Sequence, residues 1–235
     1  MLPEPRGAEF LSLVAHELRS PLATVIGAAQ TLQGRWPDLT DEQRGTFLRL
    51  IVDEATRLAS LVDDVLDTSR VEAGTFSYRF EDLDVARLVV GAVEAATVAQ
   101  QEVPVVAAVT GPLPPVRGDE ARLRQVLRNL IDNAVKYSPE GGEVEVQAFA
   151  ADGRVTVSIR DGGPGIPPDH QARIFEKFGR VDIPGSSKPG TGLGLFIARS
   201  ISEAHGGTLE VSSLPPEGAT FVLTLPAGGE TSQRS

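Results

Sequence analysis

Apolar residues recur at helical spacing from Ala8 to Leu32, at Phe10, Leu13, Val14, Leu18, Leu22, Val25, Ile26, Ala29 and Leu32, and the pattern stops at "QGRWPDLT". This predicts one long amphipathic helix. A second pattern starts at Thr40, where T-D-E-Q pairs Thr40 with Gln43 as a capping box, and runs through Phe47, Leu50, Ile51, Leu58, Leu61, Val62, Val65 and Leu66. The short connection makes the two an antiparallel hairpin. Two helices cannot enclose an apolar stripe from both sides, so the hairpin is expected to pair with a second copy of itself as a four-helix bundle.

Beyond "VEAGTFS" the period changes. Alternating segments at about 76–82, 103–110, 143–149, 154–160, 207–213 and 219–225 mix with helical ones at 84–100, 119–137 and 192–204, which predicts an α/β domain. Asp84, Asp119 and Thr191 stand where helix caps belong, and Gly206-Gly207 supplies a stop after His205. Residues 162–192 are rich in Gly, Pro and Ser with little regular pattern, and so long an irregular stretch is usually functional or mobile. The expected fold class is α+β: a helical hairpin over residues 1–73, an α/β domain over 74–228, and a flexible polar tail at 229–235.

Composition narrows the chemistry. The chain of 235 residues has no cysteine, so disulfides, thiolate metal sites and a cysteine nucleophile are excluded. Its 22 basic and 32 acidic residues leave a net charge of −10, which argues against a nucleic-acid surface and leaves only local basic groups for phosphate ligands. No apolar run reaches the length of a membrane span, and "MLPEPRGAEF" lacks the pattern of a signal peptide, so the chain is expected to carry neither.

Four stretches carry candidate chemistry. In "VAHELRSPL", His16 and Ser20 are four apart on one helical face and Glu17 is turned from them by about 100°. A carboxylate beside an imidazole can hold one ring nitrogen protonated and leave the other as a nucleophile. Pro21 cannot donate to the Glu17 carbonyl, so a bend is expected just beyond the histidine; a surface histidine beside a tolerated kink is the plainer reading. In "RNLIDNAVKYSPEGG", Asn129, Asn133 and Lys136 share a helical side and suit Mg²⁺ with a polyphosphate, although an asparagine pair also serves as an ordinary hydrogen-bond network. In "DGGPGIP", Asp161 at a strand end could accept from an amine while Gly163 and Gly165 admit close backbone approach; a tight turn would look the same. Finally, "GTGLGL" at 190–195 leads into a helix whose free N–H groups would face phosphate, a weak signal by itself.

Their order along the chain is the stronger signal. The sequence resembles the sensor histidine kinases over about residues 10 to 226: "FLSLVAHELRSPL" is similar to the phosphoacceptor box, "RNLIDNAVKYS" to the asparagine box, "DGGPGIP" and "GTGLGL" to the two glycine boxes, and "FEKFGR" to the phenylalanine box. The resemblance implies a homodimeric phosphotransfer hairpin followed by a Bergerat-type α/β-sandwich ATP-binding domain. It further implies autophosphorylation of His16 from ATP, with Glu17 as its acid/base, and transfer to an aspartate of a response-regulator receiver domain. By the same resemblance Asn133 ligates Mg²⁺ with Asn129 beside it, Lys136 and Arg180 reach phosphates, Tyr137 packs on the nucleotide and Asp161 accepts from the adenine amino group. Gly163, Gly165, Gly190, Gly192 and Gly194 shape the pocket, and Phe175 and Phe178 anchor an ATP lid. The implied location is cytoplasmic, including the cytoplasmic part of a membrane sensor.

Two positions depart from the family pattern. Gly162 replaces the usual asparagine after the aspartate, leaving Asp161 intact. Ser20 stands where a threonine or asparagine commonly supports dephosphorylation of the regulator. Two rival readings stay open on sequence: a nucleotide-binding scaffold that signals without turnover, and another ATPase or serine kinase on the same nucleotide fold. Of the other histidines, His205 reads as a partly charged imidazole at a helix end, His170 as a lid surface residue, and "WPD" as a turn with a packed indole.

Overall fold

The computed structural model describes residues 6–99, 103–179, 181 and 190–228, with side chains from residue 14 onward. Arg180, the central part of the expected lid and the tail at 229–235 lie outside the described residues. The chain divides into two compact units, Met1–Arg70 with Lys188–Thr191 and Val71–Ser187 with Gly192–Ser235.

The first unit is the expected hairpin. Helix α1 spans Arg6–Arg35, a 3₁₀ turn covers Trp36–Asp38, and α2 spans Asp41–Glu72. The capping box forms reciprocally: the Gln43 N–H donates to Thr40 Oγ1 at 3.2 Å and the Thr40 N–H to Gln43 Oε1 at 3.0 Å. The helix α1 continues unbroken through Pro21, whose ring is buried. In the connecting turn the Trp36 indole is half exposed under the Arg44 guanidinium, 4.7 Å from the ring centre, while Arg44 also donates to the Trp36 carbonyl. Leu22 and Ile26 of α1, with Leu48, Val52, Val62 and Leu66 of α2, stay exposed. An apolar helical stripe left in water is unfavourable in a single copy.

The second unit is a two-layer α/β sandwich. After β1 (Glu81–Leu83) come α3 (Val85–Ala99), β2 (Val105–Thr110), β3 (Val116–Gly118), α4 (Glu120–Tyr137), β4 (Val144–Ala151), β5 (Arg154–Asp161), α5 (Pro168–Gln171), a 3₁₀ turn at Arg173–Phe175, α6 (Gly194–Ala204), β6 (Thr208–Ser213) and β7 (Ala219–Pro226). The main sheet has the order β2-β4-β5-β7-β6, parallel between β2 and β4 and antiparallel elsewhere; β1 and β3 form a small antiparallel pair. Period-two alternation buries Val155, Val157 and Ile159 of β5 and Phe221, Leu223 and Leu225 of β7. Against them α3, α4 and α6 lay Val89, Leu127, Leu130, Ile131, Ile197 and Ile201, all nearly inaccessible, each contributing about 1.5–3 kcal/mol by burial.

Four expectations need correction. The alternating stretch 76–82 is strand only from Glu81; Phe76, Tyr78 and Phe80 instead alternate because their rings pack in sequence, centroids 5.1 and 5.8 Å apart. Thr191 is not in the cap position of the last helix, which starts at Gly194 after Leu193, whose side chain makes no cap hydrogen bond. His170 lies half-buried in α5. His205 is structural but not a charged helix-end group: it is 4% exposed, its Nδ1–H donates to the Ile201 carbonyl (2.7 Å) and its Nε2 accepts from the Asp119 N–H (2.9 Å). Both nitrogens are satisfied only in the neutral ring, and burial lowers its pKa against the opposing pull of the Ile201 carbonyl and the Asp119 charge.

Candidate functional site

In the hairpin unit His16 and Ser20 are exposed on α1, one helical turn apart. Glu17, by contrast, is buried. Only 8% of it is accessible, and its Oε2 lies 3.9 Å from the Arg57 guanidinium of α2, which also approaches Glu54 at 3.7 Å. The carboxylate is thus held on the hairpin's inner side, next in sequence to an exposed imidazole. Arg57 was not singled out from sequence, because no local motif links it to a residue 40 positions earlier.

In the sandwich unit, α4 and the end of β5 carry most of the remaining candidates. Asp119 starts α4 properly: its Oδ1 accepts from the Arg122 N–H at 3.1 Å and its Oδ2 from the Arg79 N–H at 2.8 Å. Burial works to raise its pKa, but these donors and the Arg122 charge outweigh it and leave the carboxyl below its ordinary value. On the next turns Asn129 Nδ2 donates to the Gly194 carbonyl at 3.0 Å, tying α4 to the first residue of α6. Asn133, one turn further along, is half-buried and makes no side-chain hydrogen bond among the described residues. Its amide oxygen is a ligand of the kind Mg²⁺ takes, and no cluster of three acidic or histidine side chains offers another metal site among the described residues. The Lys136 ammonium stands 4.9 Å from the Tyr137 ring centre.

Asp161, 5% exposed, has one carboxylate oxygen committed and one open. Its Oδ1 accepts from the N–H groups of Gly163 (2.8 Å) and Ala219 (3.3 Å), while its Oδ2 has no hydrogen-bond partner among the described residues. Burial raises the pKa, and the two N–H donors oppose it. The Ala219 hydrogen bond was invisible from sequence because it arrives from a strand 58 residues away. A side chain at Gly163 would meet Asp161 Oδ1 and the Tyr137 carbonyl at 2.8 Å, so only glycine lets the β5 end lie against the end of α4. Gly165 packs on the Pro215 backbone.

Gly192 adopts φ +70°, its carbonyl accepts from the Phe178 N–H at 3.2 Å, and a Cβ there would stand 2.9 Å from the Phe178 backbone. Phe178 itself sits at φ +66°, an unfavourable conformation for an aromatic residue held by that hydrogen bond. Phe175 is buried edge-on against Phe221. The cap position of α6 is Leu193, whose side chain makes no cap hydrogen bond, and the N–H groups of the first turn present the partial positive charge that favours phosphate. Gly190 falls in the hairpin unit.

Comparison with known proteins accounts for both units. The model of the His Kinase A (phospho-acceptor) domain matches residues 8–74, and that of the histidine kinase-, DNA gyrase B- and HSP90-like ATPase matches residues 118–229. The circadian input-output histidine kinase CikA of Synechococcus elongatus is 34% identical over 225 residues, 93% of this chain and 30% of its own length. Among solved structures, full-length ShkA in complex with AMPPNP is 38% identical with a TM-score of 0.68, over 94% of this chain and 46% of that one. The mycobacterial sensor histidine kinase MprB is 33% identical with a TM-score of 0.56, over 63% of this chain and 98% of that one. The chain spans about a third of the length of the curated relative CikA, and 28% of the sensor protein DivL of Caulobacter vibrioides, which is 36% identical over 220 residues, 93% of this chain. With an exposed histidine on a helical hairpin, a Bergerat-type sandwich following it in sequence and matches over both, this chain belongs to the sensor histidine kinase family.

Proposed function

We propose that the chain is an ATP- and Mg²⁺-dependent protein-histidine kinase core that phosphorylates its own His16 and passes the phosphoryl group to an aspartate of a response-regulator receiver domain. Residues 1–73 serve as the dimerisation and phosphotransfer hairpin, and 74–228 as the ATP-binding domain. The observation that carries the reading is Asp161: a buried carboxylate with one oxygen fixed by two backbone N–H groups and the other open, in a glycine-lined turn, is built to accept from a neutral amine such as that of adenine. The AMPPNP bound by the similar ShkA supports a nucleotide ligand.

In this reading the first turn of α6 and Lys136 offset phosphate charge, and Asn133 would hold Mg²⁺, which supplies charge neutralisation on the polyphosphate. A lone pair of the His16 imidazole attacks the γ-phosphorus, the bond to the β–γ bridging oxygen breaks to release ADP, and Glu17 takes the ring proton. In the relay a receiver carboxylate oxygen attacks the same phosphorus and the P–N bond breaks. Most of the rate then comes from positioning and charge placement. The exposed stripe of Leu22, Ile26, Leu48, Val52, Val62 and Leu66 supports a homodimer, since a second hairpin would cover it.

The test is incubation with γ-labelled ATP. Wild type with Mg²⁺ is expected to gain acid-labile, base-stable label, and Asn133→Ala or chelation of Mg²⁺ to abolish it. Nucleotide binding without labelling would favour the scaffold reading, and acid-stable label the serine-kinase reading.

A further inference from the structure

The Glu17 carboxylate is buried in the hairpin with little to hold it. Its oxygens accept no hydrogen bond among the described residues, and its ion pair is the one with Arg57 of α2, 3.9 Å from Oε2. The same guanidinium stands 3.7 Å from Glu54 Oε2, an oxygen closed off from water and without a hydrogen-bond partner among the described residues. Arg57 therefore lies between two carboxylates, Glu17 on α1 and Glu54 on its own helix, and closes on neither. A forked arginine–carboxylate pair would bring nitrogen and oxygen to about 2.7–2.9 Å. Buried carboxylates without hydrogen bonds are costly, and a pair this loose returns little to the stability of the hairpin.

The arrangement suits a base better than a brace. A carboxylate that takes a proton from the neighbouring imidazole must carry its charge and must keep a lone pair free to accept the ring N–H. A guanidinium in forked contact would offset the charge and occupy the lone pairs. At 3.9 Å, Arg57 offsets the charge of the buried Glu17 and leaves its lone pairs unspent. Glu54, one turn before Arg57 on α2, draws the guanidinium from the other side.

We infer that Arg57 is a positioning residue for phosphorylation of His16, its guanidinium fixing the Glu17 carboxylate next to the imidazole while leaving the carboxylate free to accept the ring proton. The inference rests on the histidine-kinase reading given above. Arg57 acts through Glu17 and has no contact of its own with the reacting atoms. Without the cation, two carboxylates lose the charge they share, and Glu17 is expected to turn out into water and lose its fixed place. Lysine would restore the charge at nearly the same reach, whereas methionine keeps only the apolar stem.

Initial rates of acid-labile labelling of the full chain, measured across a range of ATP concentrations, test it in Arg57→Met, Arg57→Lys, Glu17→Gln and the double variant of Glu17→Gln with Arg57→Met. Arg57→Met is expected to lower the saturating rate by about 10-fold or more, with the half-saturating ATP concentration within about two-fold of wild type. Arg57→Lys should recover most of that rate. In the Glu17→Gln background Arg57→Met should cost less than about two-fold more, because the group it positions is already gone. A saturating rate in Arg57→Met within two-fold of wild type would overturn the assignment. So would an Arg57→Lys rate no better than that of Arg57→Met, or the same loss from Arg57→Met in both backgrounds, which is the mark of a merely structural arginine. Failure of the kinase reading shows separately, as wild type that takes no acid-labile label, and it removes both readings together.

Discussion

Single residues in this protein are fixed by which hydrogen-bonding atoms their neighbours leave free. Asp161 can accept from an amine only when ionised, and burial lifts its pKa above the ordinary value of 3.8. Adenine-nucleotide affinity is therefore expected to be full well above that raised value and to fall as the pH descends through it, a trend that titration calorimetry across an acidic series should show in wild type. Asp161→Asn, which turns an amide N–H₂ toward the ligand amine, should cost about 2–3 kcal/mol of binding, or roughly 30- to 150-fold. His205, neutral in the fold, would gain the opposite charge on protonation, with the same sign of pH effect. Because its folded pKa lies below 6.5, the stability it contributes is complete above about 6.5 and is lost as the pH falls from there toward the lower folded value. Protonation would place an N–H where Asp119 donates its own N–H. The unfolding midpoint should therefore fall between about pH 7 and about pH 5 in wild type and fall less in His205→Gln. An identical slope in both would mean that His205 does not titrate on unfolding.

At the level of elements, local signals and distant ones separate cleanly. The capping box at Thr40 and the Asp119 cap were legible because each is complete within four residues, and each forms as expected. Thr40→Ala should therefore destabilise the hairpin by about 1 kcal/mol, read from denaturant midpoints. The strand β3 escaped sequence reading because three residues have no measurable period and gain their structure only by pairing with β1, more than 30 positions earlier. Phe76, Tyr78 and Phe80 show the converse error: a true alternation produced by ring packing, with Tyr78 and Phe80 both against His205 at centroid distances of 5.5 and 4.9 Å. The start of α6 differs from the sequence expectation because Thr191 is the better capping residue by type, whereas the structure puts Leu193 in the cap position, where the side chain makes no cap hydrogen bond. Gly192→Ala, which combines a φ of +70° with a Cβ 2.9 Å from the Phe178 backbone, should strain that turn by about 1–3 kcal/mol and weaken nucleotide binding by calorimetry.

For the molecule entire, the two kinds of architecture and their order were legible in the sequence, because a helical period and a period of two announce themselves over tens of residues. The burial of Glu17 was not legible, since which face of an amphipathic helix turns inward near a polar motif is decided by its partner helix, here through Arg57. The proposed homodimer is testable through the exposed stripe along the hairpin: sedimentation should give twice the chain mass, and Val52→Asp, which puts a charge into that stripe, should shift the population toward the single chain. The proposed function joins the two units in one event, the transfer of a phosphoryl group from ATP to the histidine of the hairpin. Incubating the chain with Mg-ATP, digesting it at neutral to mildly basic pH and locating the phosphoryl group by mass spectrometry observes that event itself. One phosphorylated site is expected, His16, absent from His16→Gln. A phosphoryl group on any other residue, or none while ATP is bound, would contradict the mechanism.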